Sequence, residues 1–277
     1  MPDTSKLPPP PNFFAAYDKS YTSNATEEDA NDAAAWCQAR PLMDPITLDP
    51  QAQHNHRTHN VALSPPQVPG LQVTLANPVP GVWTGQTRLH NRDKTDSCSI
   101  GYPPLYAVRE DSQLIQGHGT KIIYYEVNIA NDFMDPEVPL AIGFTAIPYP
   151  PFRMPGWHRG SLAVHGDDGR KYINDMWGGK DCTMPFRRGE TYGVGMVFKA
   201  VGGRLNVKVF YTREGQLTGS WDLHEESDQQ EDLAVTGLEG FHDLSCAIGT
   251  CDNISYEIVF DPTRWKYNAY CPQIEYL

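Results

Sequence analysis

The sequence predicts an all-β protein, an antiparallel β-sandwich that follows a largely irregular N-terminal segment. From Leu71 onward, short runs rich in Val, Ile, Tyr and Phe alternate with Gly, Pro, Asn and Asp, as strands alternate with turns. No helical pattern separates these runs, which excludes folds that join parallel strands through helices. Thirteen of the 24 prolines fall in the first 80 residues, which favours an irregular segment up to about residue 69.

The predicted strands occupy the chain from Leu71 onward. They are Leu71 to Leu75, Ile122 to Ala130, Leu140 to Ala146, Thr191 to Phe198, Leu205 to Thr212 and Ile254 to Phe260. Arg213-Glu214-Gly215 predicts a tight turn into a further strand from Gln216 to Trp221. The 277 residues permit one large β domain or two small ones, and we place a single β-sandwich domain at residues 70–277.

The first 69 residues are predicted to be a proline-rich flexible segment that is dispensable for folding. One helix is expected near Thr26 to Gln38, because Thr26 suits the N-cap and three acidic residues follow it. The stretch from Gln51 to Pro69 shows no periodicity. His54, His56 and His59 lie within it, but no Cys or carboxylate frames them as a metal site.

Composition excludes several classes of function. The formal net charge of −12 argues against a general nucleic-acid binder or a basic membrane-binding surface, because both require clustered Lys and Arg. No window approaches the roughly 18 apolar residues of a membrane span. Met1 is followed by Pro2 and Asp3 rather than by a signal-peptide pattern, so we expect a cytoplasmic protein with reduced cysteines.

The sequence offers little basis for catalysis. It contains no nucleophile elbow, phosphate-binding loop or zinc-protease motif. Asp167 and Asp168 are adjacent, and adjacent side chains on a strand point to opposite faces, so they cannot form an acid/base pair. A turn whose carboxylates accept backbone N–H groups explains His165 to Gly169 better. We therefore expect no enzyme activity, no cofactor and no metal.

Five motifs in order carry a family resemblance. They are Tyr124 to Val127 (YYEV), Ile142 to Thr145 (IGFT), Pro148 to Trp157 (PYPPFRMPGW) with His165 to Gly169 (HGDDG), Gly189 to Gly195, and Phe210 to Gly215 (FYTREG). Together they resemble SPRY domains, which are concanavalin-like jelly rolls. The likeness is to Ran-binding-protein-M-type scaffolds and to fungal endosomal SPRY adaptors for HECT ubiquitin ligases. Three features depart from the family pattern: Glu214 stands where the family usually has Asn, Ala200 to Arg204 lengthen a tight hairpin, and the acidic loop after Trp221 is longer.

The resemblance implies a shallow ligand surface made of edge loops: His90 to Lys94, Asp135 to Val138, Pro148 to Trp157 and Thr250 to Asn253. The residues it suggests for partner binding are Arg92, Tyr149, Phe152, Arg153, Trp157, Thr250, Asp252 and Asn253. Tyr149, Phe152 and Trp157 stand among prolines, which predicts a rigid aromatic ledge. The alternative, left open for Phe152 and Trp157, is that they plug the end of the sandwich.

The resemblance implies a non-catalytic adaptor that binds a peptide of a partner protein. It also suggests that this adaptor helps a ubiquitin ligase to recognise its substrates. A peripheral location of the protein at the endosome surface is an alternative to a location free in the cytoplasm. Pro103, Pro104 and Tyr106 match the ligand motif of WW domains, which predicts a WW-domain ligase as a partner. This interaction requires that the segment is not buried between strands. A carbohydrate-binding sandwich that uses Tyr172, Asn174 and Trp177 is the alternative function. A structural domain whose N-terminal segment does the binding is a third hypothesis.

Overall fold

The computed structural model describes residues 26–90, 94–117, 119–176, 178–202, 204–224 and 235–269. Its helices are α1 (Glu27–Ala39), α2 (Pro50–Arg57) and α3 (Val108–Gln116). Its strands are β1 (Ala62–Ser64), β2 (Leu71–Val79), β3 (Val82–Leu89), β4 (Ser97–Tyr102), β5 (Thr120–Ile129), β6 (Leu140–Ala146), β7 (Ser161–His165), β8 (Arg170–Ile173), β9 (Lys180–Asp181), β10 (Thr191–Val201), β11 (Arg204–Arg213), β12 (Gln216–Asp222), β13 (Leu244–Thr250) and β14 (Ile254–Val259). A short 3-10 helix, Pro262–Arg264, follows β14.

Two antiparallel sheets form a sandwich, which confirms the predicted fold class. Sheet A has the strand order β1-β4-β13-β6-β7-β8-β9, and sheet B has the order β12-β11-β10-β5-β14-β3-β2. Alternate residues point into the space between the sheets, so Leu140, Ile142 and Phe144 of β6 join the main core. The residues between them face outward and are still buried, because a loop covers that side of sheet A.

All six predicted strands are present, as is the hairpin after them. Glu214 and Gly215 connect β11 to β12 with φ values of 49° and 72°, the left-handed backbone that a two-residue hairpin turn requires. The expected lengthening at Ala200 to Arg204 does not produce a longer loop. Val201 pairs directly with Arg204, so the extra residues extend both strands instead.

The N-terminal segment differs most from expectation. Helix α1 is present with Thr26 as its cap, as predicted, and Thr26 and Asp29 form a reciprocal capping box. The stretch from Gln51 to Pro69, however, contains most of α2 and all of β1, and β1 pairs with β4. Val61 and Leu63 are only 1% and 5% exposed in the main core.

Periodicity does not reveal such short elements, because contacts with the sandwich stabilise them. The indole nitrogen of Trp83, for example, donates to the carbonyl of Val61 at 2.7 Å. Helix α2 does have a local start signal, since Asp49 caps it and Pro50 occupies its first position. The proposed division at residues 69 and 70 stays a prediction, and these contacts favour an earlier start of the folding unit. Residues 1–25, including the run Pro8 to Pro11, lie outside the described residues.

Candidate functional site

Two of the predicted edge loops meet in a groove of about 150 Å³ at one end of the sandwich. The loop that follows β5 forms one wall, and the turn between β13 and β14 forms the other. The groove is lined by Phe133, Met134, Asp135, Glu137, Pro139, Arg188, Asp252 and Asn253. Loops held by a rigid sandwich present contacts at a low ordering cost, which makes this groove the candidate site.

Phe133 is held between two arginines. The guanidinium carbons of Arg88 and Arg188 lie 5.1 and 5.2 Å from the centroid of its ring. Arg188 also donates from Nε to the carbonyl of Asp135 at 2.6 Å and from Nη2 to the carbonyl of Glu137 at 2.9 Å. These contacts brace the loop, while the side chain of Met134 at its tip is 100% exposed.

The polar wall of the groove has one internal ion pair, between Lys94 and Glu137. Burial alone would lower the pKa of Lys94, but the hydrogen bond and charge of Glu137 outweigh it and raise that pKa. Lys94 belongs to the predicted His90 to Lys94 loop, so a third loop contributes to this edge. Arg92 lies outside the described residues.

The predicted binding residues of the β13–β14 turn differ in their exposure and in their contact with the groove. Asp252 and Asn253 line the groove, and Oδ1 of Asn253 accepts a hydrogen bond from the backbone of Leu89 at 3.0 Å. Thr250 is 1% exposed, and its hydroxyl lies 2.8 Å from Oγ of Ser97. Thr250 is therefore buried beneath the turn, and its binding role stays a prediction.

The loop Pro148 to Trp157 is not the exposed ledge that the sequence predicts. Tyr149 is 3% exposed and packs with Cys98 and Ala247 on the outer face of sheet A. Its hydroxyl donates to the carbonyl of Met154 at 2.5 Å. The expected exposure of Tyr149 is wrong, because the outer face of β4 and β13 is apolar and needs a cover.

Phe152 and Trp157 are partly exposed, and Trp157 packs with Ala141, Met154 and Ala163 on the same outer face. Neither ring enters the space between the sheets, so the plug alternative is also incorrect. Arg153 is only 2% exposed and lies 4.4 Å from the centroid of the Trp157 ring. A binding role for any of these residues stays a prediction.

Arg153 connects this loop to the groove end of the sandwich. Its Nη1 lies 3.2 Å from Oδ2 of Asp96, which directly precedes β4. Burial raises the pKa of Asp96 to about 7, although the guanidinium of Arg153 opposes the shift. The backbone of Thr95 also donates to the carbonyl of Cys251 at 3.0 Å. Thr95 and Asp96, which directly follow the His90 to Lys94 loop, therefore contact both the Pro148 to Trp157 loop and the β13–β14 turn.

The WW-type motif is buried. Leu105 and Tyr106 are 5% and 1% exposed, and Pro103 and Pro104 are buried as well. The ring of Tyr106 stacks on Phe198 at a centroid distance of 4.2 Å, and its hydroxyl donates to the carbonyl of Gly240. A WW domain has no access to this segment in the folded chain, so this hypothesis is not supported.

His165 to Gly169 form the turn between β7 and β8, in agreement with the structural interpretation. The carboxylate of Asp168 accepts hydrogen bonds from the backbone of Arg170 at 2.9 Å and the hydroxyl of Tyr172 at 2.6 Å. Gly169 has a φ of 74°. The predicted carbohydrate platform fails here, because Tyr172 is 3% exposed and its ring lies 4.1 Å from His165. Trp177 lies outside the described residues.

His56 is buried and belongs to a polar network rather than to an unstructured stretch. Its Nδ1 lies 2.8 Å from the carbonyl of Pro104, and its Nε2 lies 3.2 Å from Oδ2 of Asp111. Nζ of Lys121 completes the network at 2.9 Å from Oδ1 of Asp111. Within the described ranges, no group of His, Cys, Asp and Glu has the arrangement of a metal site. No helix there is both long and apolar enough to cross a membrane.

The geometry defines an antiparallel β-sandwich with a loop-edge groove, and comparison with known proteins adds a family resemblance. The chain is 33% identical over 96 residues to a SPRY domain-containing protein of Schizosaccharomyces pombe and 32% identical over 98 residues to Ran-binding protein 9 of Mus musculus. Each alignment spans 35% of this chain but only 23% and 14% of the relative. The resemblance to SPRY-domain proteins is therefore confirmed.

A solved human SPRY domain is 18% identical to this chain, with a TM-score of 0.44 over 69% of this chain and 98% of that one. No family model matches the sequence. The SPRY relatives support a protein-interaction module in general terms. The chain spans less than a quarter of each of the two relatives, so their further activities and partners are matters of proposal.

Sequence reasoning missed Phe133, Met134 and Arg188. The predicted loop began at Asp135, two residues too late, since strand signals end at Ala130 and nothing local marks Phe133 as exposed. Asn131-Asp132-Phe133-Met134 does contain a signal, because two bulky apolar residues follow directly after polar turn residues. The exposed Met134 at this loop tip makes the loop a candidate for binding.

Proposed function

We propose that this chain is a protein-interaction module that binds a peptide segment of a partner protein in the loop-edge groove. The observation that carries the proposal is the fully exposed Met134 beside Phe133, which Arg88 and Arg188 hold in place. An exposed thioether on a braced loop gives a partner an apolar contact without first ordering the loop.

The size of the groove supports a peptide rather than a small molecule. At about 150 Å³ it is smaller than the 300 Å³ or more typical of drug-sized ligands. It is large enough for one or two side chains of an extended segment that continues across the neighbouring surface. This proposal assigns no catalytic step to the chain.

The adaptor hypothesis follows from the proposed binding. An adaptor that binds a partner segment in the groove would bring that partner to the other proteins of its assembly. We favour a ubiquitin ligase as the protein that receives the partner. That link does not use Pro103, Pro104 and Tyr106, because these residues are buried. A cytoplasmic location, with the endosome surface left open, is a prediction that accompanies this hypothesis.

Selection from a random displayed peptide library on the full chain tests the proposal, followed by calorimetric titration of the selected peptides. Met134→Ala should weaken binding by about 1 to 3 kcal/mol, as expected for an anchor. Its unfolding free energy should not change, because the side chain is fully exposed. Met43→Ala is the matched control, since Met43 is 48% exposed beside Ile147, beyond the far end of β6.

The proposal predicts that Met43→Ala binds the selected peptides as the unmodified chain does. Selected peptides that bind Met134→Ala with unchanged affinity would place the interaction elsewhere on the molecule. A selection that yields no peptide would argue against a peptide-binding module.

A further inference from the structure

We propose that a second copy of this chain pairs with the outer edge of β2, strand against strand, in an antiparallel register centred on Thr74. This inference goes beyond the proposed function and does not depend on it, since no residue that lines the groove belongs to β2. It follows from the position of β2 in sheet B, from the direction of its backbone groups and from the side chains that it carries.

Strand β2 is a long edge strand with little protection against pairing. It is the outermost strand of sheet B, and within the described residues its outer side meets only Val68, through a bridge to Leu71. Edge strands are usually protected by a lysine or another charge, by a proline or by a bulge. The nine residues of β2 include no charged side chain. Pro78 and the shift in register after Ala76 protect one end of the strand only.

The hydrogen bonds to β3 show which backbone groups of β2 point outward. Just before β2, the backbone N–H of His90 donates to the carbonyl of Gly70 at 2.9 Å. Bonded and non-bonded pairs alternate along an antiparallel ladder, so the even-numbered residues of β2 bond to β3 as far as the shift in register. The N–H of Leu71 accordingly points away from β3 and donates to the loop before the strand at 3.3 Å. Val73 and Leu75 therefore direct their N–H and carbonyl groups at the open edge.

This edge is complementary to a second copy of itself. A twofold axis at Thr74 places Val73 of one copy opposite Leu75 of the other, and each of these pairs exchanges two backbone hydrogen bonds. The side chains of Val73 and Leu75 are only partly buried, and Leu75 packs against the main core. Pairing therefore extends the apolar core across the axis. Because β2 carries no charge, no like charges meet between the two strands.

The other sheet edges are less suited to such pairing. Strands β1 and β9 have only three and two residues. Strand β12 is longer, but Gly219 at its centre offers no side chain to pack, and its register with β11 shifts between Tyr211 and Thr212. The sequence from Asp222 to Asp232 also carries six carboxylates and no Lys or Arg. Two copies joined at β12 would bring these like charges toward each other, which β2 avoids.

The side chains beside the open edge leave it accessible. Arg88, which lies opposite Gln72 in β3, places its guanidinium carbon 5.1 Å from the ring centroid of Phe133, at the groove. Gln86 donates to Oγ of Ser255 at 3.1 Å, toward the middle of the sheet. The net charge of −12 opposes the association of two copies at low ionic strength, so added salt should strengthen it.

Sedimentation equilibrium of the full chain tests the proposal from about 1 μM to about 1 mM, since small interfaces associate weakly. The mass should rise from 31.0 kDa toward twice that value with concentration, and further with added potassium chloride. Thr74→Lys should stay at 31.0 kDa, because two ammonium groups would face each other at the axis. Its unfolding free energy should match that of the unmodified chain, since Thr74 is exposed.

Thr218→Lys is the matched control, because Thr218 is an exposed threonine of β12, the other edge strand of the same sheet. This variant should dimerise as the unmodified chain does. A mass of 31.0 kDa at every concentration, or a dimer that Thr74→Lys leaves intact, would overturn the inference. A dimer lost only in Thr218→Lys would assign the contact to β12 and overturn it too. None of these results bears on the peptide groove.

A cross-link tests the register. The Cα atoms of a non-hydrogen-bonded antiparallel pair lie about 4.5 Å apart, within the range that a disulfide spans. Thr74→Cys should therefore form a covalent dimer when diamide oxidises the two thiols. Gln72→Cys should stay at the background level of the unmodified chain, since the register places Gln72 opposite Ala76 of the other copy. Equal cross-linking of both variants would overturn the register centred on Thr74.

Discussion

Tyr149 and Met134 are the two residues whose exposure decides where we place the candidate site. Tyr149 stands in the most conspicuous motif of the chain, yet it is buried against sheet A. Met134 stands in an unremarkable stretch and is fully exposed. A binding residue must be reachable before its chemistry matters, so accessibility moves the candidate site from the Pro148 to Trp157 loop to the loop after β5.

We predict that Tyr149→Ala lowers the unfolding free energy by about 3 to 5 kcal/mol, because it opens a cavity over Cys98 and Ala247. Tyr149→Phe should cost about 1 kcal/mol, since it keeps the ring and removes the hydroxyl that donates to Met154. Urea unfolding measures both. Phe241→Ala, at a ring that is 68% exposed, is the control and should cost less than about 1 kcal/mol. A Tyr149→Ala chain as stable as the control would mean that the loop leaves sheet A in solution.

Among the elements, the His56, Asp111 and Lys121 network joins α2, α3 and β5. Asp111 also accepts a hydrogen bond from the backbone of Ala107 at the start of α3. Burial alone would raise the pKa of Asp111, but the hydrogen bond from His56 and the charge of Lys121 hold it below its usual value. The carboxylate is therefore stabilised in the folded chain as an anion.

We predict that Asp111→Asn lowers the unfolding free energy at pH 7 by about 3 kcal/mol, because it leaves Lys121 without its buried partner. A carboxyl whose folded-state pKa is lowered stabilises the fold above its unfolded pKa of about 4 and loses that effect as the pH falls further. The difference between Asp111→Asn and the unmodified chain should therefore be constant near neutrality and shrink below about pH 4. Urea unfolding at a series of pH values measures it.

Glu110→Gln is the matched control, because Glu110 also lies in the first turn of α3 and shares any effect of the helix dipole. An equal loss of stability in both variants would assign the effect to the helix terminus and not to the network.

At the scale of the whole molecule, the sandwich extends further toward the N-terminus than the strand pattern does. Leu48 and Ala52 pack with Ala107, while Val61 and Leu63 enter the main core beside strands from both sheets. Strand β1 also extends sheet A through its pairing with β4. A chain cut at residue 70 would expose all of these contacts.

We predict that a fragment of residues 42–277 melts within a few degrees of the full chain, since α1 buries only Ala33 and Cys37. A fragment of residues 71–277 should lose more than about 4 kcal/mol, because Val61 and Leu63 alone account for about 1.5 to 3 kcal/mol each. For a domain of this size, that loss lowers the melting temperature by about 10 °C or more. Thermal denaturation compares the three chains, and a stable 71–277 fragment would restore the original boundary.

The sequence by itself determined the all-β class, the strands of the sandwich, the capped helix at Glu27–Ala39 and the SPRY resemblance. These follow from local causes, since alternation of apolar residues, capping and turn chemistry act over a few neighbouring residues. It also anticipated the loops at which Asp252 and Asn253 lie. Only the tertiary structure decided that Tyr149 and Tyr106 are buried, that β1 joins sheet A, and that Phe133, Met134 and Arg188 meet Asp252 in one groove. The burial of a side chain and the meeting of several loops in one groove depend on which segments distant in sequence pack together. No local sequence pattern encodes these contacts.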